Sequence, residues 1–196
     1  MILFLGDSIT QWWDAEYFNH YFGMYKTINL GMSGHTSKDT LEYIELSHLN
    51  NFKPSNVILQ IGTNDGDHDM TTGETVATIQ RICSTILDYS PGTKILLIGP
   101  LPRGESLSDR HRIYNREVNN HLQSIIHDTR VTYVDIGVSF IREDGTISKN
   151  TMYDYLHLTK RGYDILSEVI CNYLFAPRGF FGPCEPATPA PLPRLS

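Results

Sequence analysis

The chain has 196 residues, 40% of them apolar, and a formal net charge of −6. Length and composition fit one globular domain with a sizeable core, and no apolar run approaches the ~20 residues that a bilayer span needs. The acidic balance, with both signs interspersed, argues against nucleic-acid or anionic-membrane partners and against membrane insertion.

The first element is a predicted strand over Ile2–Leu5, apolar throughout and cut off by Gly6, as in a strand buried on both faces. Asp7 and Ser8 follow, where a strand hands over to a helix. A serine there is either a helix N-cap or a nucleophile among unpaired backbone N–H groups. Asp7 reads as a structural group that steadies this loop or caps the next helix. A helix is predicted over Gln11–Tyr21, with adjacent Trp12 and Trp13 pointing different ways, so that at least one joins the core and the other can line a cleft. A strand over Thr27–Leu30 ends at Gly31, in "GMSGHTS", and a helix over Ser37–Leu49 follows.

The next strand, Val57–Ile61, leads into "GTND", with Gly62 and Asn64. The "DGDHD" of Asp65–Asp69 lacks the glycine spacing and distal glutamate of a calcium loop and reads as a solvated acidic loop, with no metal. The helix over Glu74–Tyr89 repeats Val76, Ile79, Ile82, Cys83, Ile86 and Leu87 three and four apart. The strand Lys94–Ile98 precedes "GPLPRG", whose Arg103 either supports a site rim or forms a salt bridge. After a helix over Arg110–His127 and a strand over Val131–Val134 comes "YDYLHLTKRGY", with Asp154 and His157, and a last helix over Lys160–Leu174. Residues 1–175 read as one domain. Residues 176–196 hold six of the ten prolines and read as a disordered tail. Cys83, Cys171 and Cys184 form no CxxC pair and read as reduced structural thiols. The chain enters its first strand without a basic leader, which reads as cytoplasmic.

Strands alternating with helices predict a three-layer α/β/α fold around a five-stranded parallel doubly wound sheet, flavodoxin-like in type, with ligands at the carboxyl ends of the strands. "GDS", "GMSG", "GTND" and Asp154-x-x-His157 each lie beyond a strand and so share that edge. A serine hydroxyl needs a base to take its proton, and His157 suits the task. Asp154, three residues earlier, can orient the imidazole and balance its charge within one turn. A tetrahedral oxyanion needs preorganised donors, and Ser8 N–H, Gly31 N–H and the Asn64 amide are the candidates.

The order GDS, Gly, GTN, DxxH resembles the SGNH (GDSL-type) serine hydrolases. Within them, "FLGDS", "IGTN", "LPRG", "NREVN" and "DGTIS…MYDYLHLTKRGY" are most similar to the catalytic subunits of intracellular platelet-activating-factor acetylhydrolase, over about Ile2–Leu174. The resemblance implies the three-layer fold, catalytic Ser8, Asp154 and His157, oxyanion donors Ser8, Gly31 and Asn64, no cofactor, hydrolysis of short acyl esters and a homodimer. Two loops depart from that group: His35 stands at an acidic position, and the loop after Asn64 is more acidic. The expected function is a serine esterase acting on small-molecule acyl esters, acetyl above all. An acyltransferase, thioesterase or lysophospholipase on the same triad, and a non-catalytic assembly protein, are the alternatives.

Overall fold

The computed structural model describes residues 1–49 and 52–175. The expected proline-rich tail and Cys184 lie outside the described residues. Five parallel strands, β1 (Ile2–Gly6), β2 (Thr27–Gly31), β3 (Asn56–Gln60), β4 (Lys94–Ile98) and β5 (Val131–Val134), form one sheet in the order β2-β1-β3-β4-β5. The strand order reverses between β1 and β3, where a doubly wound sheet opens a crevice at its carboxyl edge. Gly6 pairs with Gly31 on one side and with Gln60 on the other, so the chain leaves β1, β2 and β3 at one level.

The sheet carries a core on each face because its strands alternate. Ile2, Phe4, Ile58, Leu96 and Ile98 face one layer, and Leu3, Leu5, Val57, Leu59, Ile95 and Leu97 the other. The first layer holds α2 (Ala15–Phe22) and α6 (Lys160–Phe175), whose Phe18, Phe22, Leu166 and Ile170 join Phe4. The second holds α3 (Ser37–Tyr43), α4 (Thr72–Tyr89) and α5 (Arg110–Ile125), with the Val76–Leu87 stripe of α4 at its centre. Capping boxes at Thr36/Asp39 and Thr71/Glu74 start α3 and α4.

The helix expected over Gln11–Tyr21 is two. A single turn, α1 (Ser8–Gln11), stops at Trp12, and Asp14 starts α2 by accepting a hydrogen bond from Tyr17 N at 2.9 Å. The Asp14 cap signal overrides the run of helix-compatible residues around it. The helix expected over Ser37–Leu49 is α-helical only to Tyr43 and continues as a π-helical segment, Ile44–His48.

Candidate active site

Ser8 opens α1 directly at the end of β1 and is 5% exposed. Asp7 caps the same turn, accepting from Ile9 N at 2.9 Å. Asp154 and His157 come from the long connection between β5 and α6, where bridges pair Ile141 with Ile147 and Met152 with Leu158. The expected helical turn between them is a side-chain-closed turn instead. Asp154 Oδ1 accepts from Leu156 N (3.1 Å) and His157 N (2.7 Å), while Tyr155 takes a left-handed φ of 64°. This geometry leaves Asp154 Oδ2 facing His157 Nδ1 at 2.6 Å, and His157 Nε2 lies 3.1 Å from Ser8 Oγ. Burial pushes the Asp154 carboxyl up, but hydrogen bonds from the His157 ring and from the His157 and Leu156 N–H groups outweigh it. Its net shift is below the usual carboxylate range, so it remains an anion beside the imidazole.

Asn64 ends the β3 loop and donates its Nδ2 to His35 O at 3.0 Å, leaving its second amide hydrogen free for other use. Gly31 is not presented as expected. Met32 N donates to Gly6 O across the ladder, so the preceding N–H, that of Gly31, faces away from β1 and donates to Asn29 Oδ1 at 2.8 Å. What Gly31 supplies is room: a Cβ there would lie 2.2 Å from Gln11 N, so only glycine lets α1 pack on the end of β2. The turn after it, closed by His35 N to Met32 O at 3.1 Å, carries Gly34 at φ 79°. The Gly34 N–H makes no hydrogen bond among the described residues, and the neighbouring His35 carbonyl is the one Asn64 grips. A second "GxxG" glycine in "GMSGHTS" was the available signal for this position.

The two tryptophans separate. Trp13 is core, 4% exposed, while Trp12 is 50% exposed and stacks on the His157 ring at 4.2 Å and 29°. Tyr153 lies 6.0 Å from the same ring. His35 is half-buried, with Nδ1 out of water and unpartnered among the described residues. The acidic loop is not simply solvated. Asp65 is fully buried and accepts from Ser37 N (2.8 Å), Ser37 Oγ and Thr75 Oγ1 (2.8 Å). Asp67 takes Arg103 (2.7 Å), Arg110 (3.2 Å) and His111 (2.7 Å). Arg103 also donates to Thr63 O, so it both pairs with Asp67 and braces the residue before Asn64. In "NREVN", Asn115 Nδ2 holds Thr63 Oγ1 and Leu101 O, and Asn119 Nδ2 holds Pro100 O, which ties the loops after β3 and β4 to α5. No cluster of three metal-ligating side chains occurs among the described residues.

Residues 4–165 match the family of GDSL-like lipases and acylhydrolases. The chain belongs to this family. The GDSL hydrolase is 35% identical over 164 residues to platelet-activating factor acetylhydrolase IB subunit alpha2 of Rattus norvegicus, covering 83% of this chain and 70% of the relative. The alpha1 subunit of Mus musculus is 30% identical over 164 residues, again 83% of this chain and 69% of the relative. A GDSL-like lipase from Bacteroides thetaiotaomicron superposes with a TM-score of 0.76 at 21% identity, over 88% of this chain and 86% of that one. An acetylxylan esterase from Geobacillus stearothermophilus gives 0.69 at 21%, over 87% and 92%. These last two share the fold. The protein is therefore an ester hydrolase of the GDSL type with the three-layer architecture of that family. No described helix is long and apolar enough to cross a membrane.

Proposed function

We propose that this hydrolase is a serine esterase that releases short acyl groups, acetyl above all, through an acyl-enzyme on Ser8. The supporting observation is the unbroken line from Ser8 Oγ to His157 Nε2 (3.1 Å) and from His157 Nδ1 to Asp154 Oδ2 (2.6 Å). His157 takes the Ser8 proton as Oγ attacks the ester carbonyl, and the anionic Asp154 holds the ring with Nε2 free to accept. The carbonyl oxygen becomes an oxyanion facing Ser8 N–H, which has no intrahelical acceptor at the first position of α1, and the free amide hydrogen of Asn64. Gly34 N–H, rather than Gly31 N–H, is the third donor of this reading. The intermediate collapses, the bond to the alcohol oxygen breaks, and His157 gives that oxygen the proton. Water then repeats the cycle on the acyl-enzyme and returns Ser8. No step requires a metal or cofactor. The acetyl preference draws support from the acetylhydrolase subunits to which the chain is similar. The buried free thiol of Cys83 suits a reducing compartment, and a cytoplasmic location is part of the proposal.

Ser8→Ala and His157→Ala should each lower kcat by several orders of magnitude, and the double variant should be little worse than either, because the residues act as a unit. A fluorophosphonate should label Ser8 in the wild type and nothing in Ser8→Ala. Turnover retained in Ser8→Ala would overturn the mechanism.

A further inference from the structure

Trp12 is a large apolar residue left 50% exposed beside a neighbour, Trp13, that is buried. Its exposed position is not loose. Trp12 N–H donates to Ser8 O at 2.8 Å, so the two residues stand one helical turn apart on the same face of α1. That spacing lays the indole over the ring to which Ser8 is hydrogen-bonded, at a centroid distance of 4.2 Å and an interplanar angle of 29°. The His157 ring is otherwise restrained by bonds lying in its own plane, to Asp154 at one nitrogen and to Ser8 at the other. In-plane bonds resist displacement along the plane far better than displacement out of it. The segment that carries His157 is a turn held by the Asp154 side chain and by Tyr153 N to His157 O, outside any helix or strand.

We infer that Trp12 is a positioning residue for His157: the turn that presents the nucleophile also presents an aromatic wall that fixes the plane of its base. This rests on the serine-esterase reading above. The wall blocks out-of-plane tilt, which would lengthen the Nε2 to Oγ contact. Its electron-rich face also favours the imidazole while it carries the proton taken from Ser8. Both effects act on the transition state more than on the binding of a small ester, so loss of the wall lowers kcat and spares KM.

The test compares Trp12→Leu and Trp12→Phe with the wild type, using p-nitrophenyl acetate and a fluorophosphonate, together with proton NMR of the low-field hydrogen-bonded imidazole N–H. Trp12→Leu should reduce kcat and the fluorophosphonate labelling rate by about tenfold to a hundredfold, as expected for a misaligned catalytic group, with KM within about twofold. Trp12→Phe, which keeps a flat ring, should recover most of both rates. The resonance of the proton between His157 and Asp154 should broaden or vanish in Trp12→Leu and persist in Trp12→Phe. A raised KM with unchanged kcat and labelling would make Trp12 a wall of the substrate site and overturn the inference. Equal labelling of wild type and Trp12→Leu with an unchanged low-field resonance would overturn it as well. Failure of the wild type to be labelled at Ser8 would instead strike the serine-esterase reading itself.

Discussion

Asp7 and Ser8 are adjacent, and burial treats them differently. Ser8 Oγ faces His157, whereas the Asp7 carboxyl is 1% exposed and serves as a cap on Ile9 N. Removal from water pushes the Asp7 carboxyl up. The Ile9 N–H opposes this, nearby Asp65 adds to it, Arg103 opposes it, and the result is about 7. The unfolded chain sheds this proton near the ordinary value of 3.8. Between those two values the folded state holds a proton that the unfolded state has lost, so stability falls as pH rises through this window and is level above it. The whole effect is on the order of a few kcal/mol. Asp7→Asn keeps a capping oxygen and removes the titration. Its melting temperature relative to wild type should therefore rise from pH 4.5 to about pH 7 and level off by pH 8, measured by thermal unfolding across that range. A pH-independent difference would show that Asp7 does not titrate there. At this scale the sequence pointed to Ser8, Asp154 and His157, which the structure brings within hydrogen-bond reach of one another, and to Asn64, because the chemistry restricts which residue types can serve. The direction of the Gly31 N–H, toward Asn29 Oδ1, was not legible, because it depends on register in the ladder, which residue identity does not reveal.

At the scale of elements, the loop after β3 is held from both sides. Asp65 joins the start of α3, through Ser37, to the first turn of α4, through Thr75, and Thr75 Oγ1 in turn accepts from the Tyr114 hydroxyl of α5. The loop reads as solvated in sequence because five consecutive polar or glycine residues carry no period, and nothing local tells a buried carboxylate from an exposed one. Three donors converging on Asp65 supply the difference. Asp65→Ala strands them in a buried place, at about 1–3 kcal/mol for an unsatisfied group. The expected loss is about 3 kcal/mol or more in denaturant unfolding, against about 1 kcal/mol for Ser37→Ala, which removes one donor. Activity should fall with it, since Asn64 is the preceding residue. A loss below that of Ser37→Ala would mean the loop is held by other contacts. The break between α1 and α2 was legible at Asp14, yet the helix-compatible residues on either side concealed it.

The whole molecule was legible as far as strands covered on both faces announce themselves by short unbroken apolar runs: each expected strand lies within one residue of an observed one. The distribution of empty space was not legible, because it depends on how loops from different strands meet. An apolar cavity of about 420 Å³, walled by Pro100, Pro102, Leu107, Val138 and Ile141, lies among the loops after β4 and β5. None of Ser8, Asn64, Asp154 or His157 lines it. The groove that does border Asp154 is polar, with Arg103, Glu105, Asp109 and His111 along it. A long acyl chain that ran from Ser8 into this groove would lie along polar surface, and each methylene left unburied forgoes about 0.8 kcal/mol. Short acyl groups lose nothing by this. The ratio kcat/KM across p-nitrophenyl esters should therefore peak at acetyl or propionyl and fall more than tenfold beyond about four carbons, which is about 1.4 kcal/mol of transition-state binding. A maximum at octanoyl or longer would mean that the apolar cavity receives the acyl chain, and would replace the acetylesterase reading with a thioesterase or lysophospholipase one.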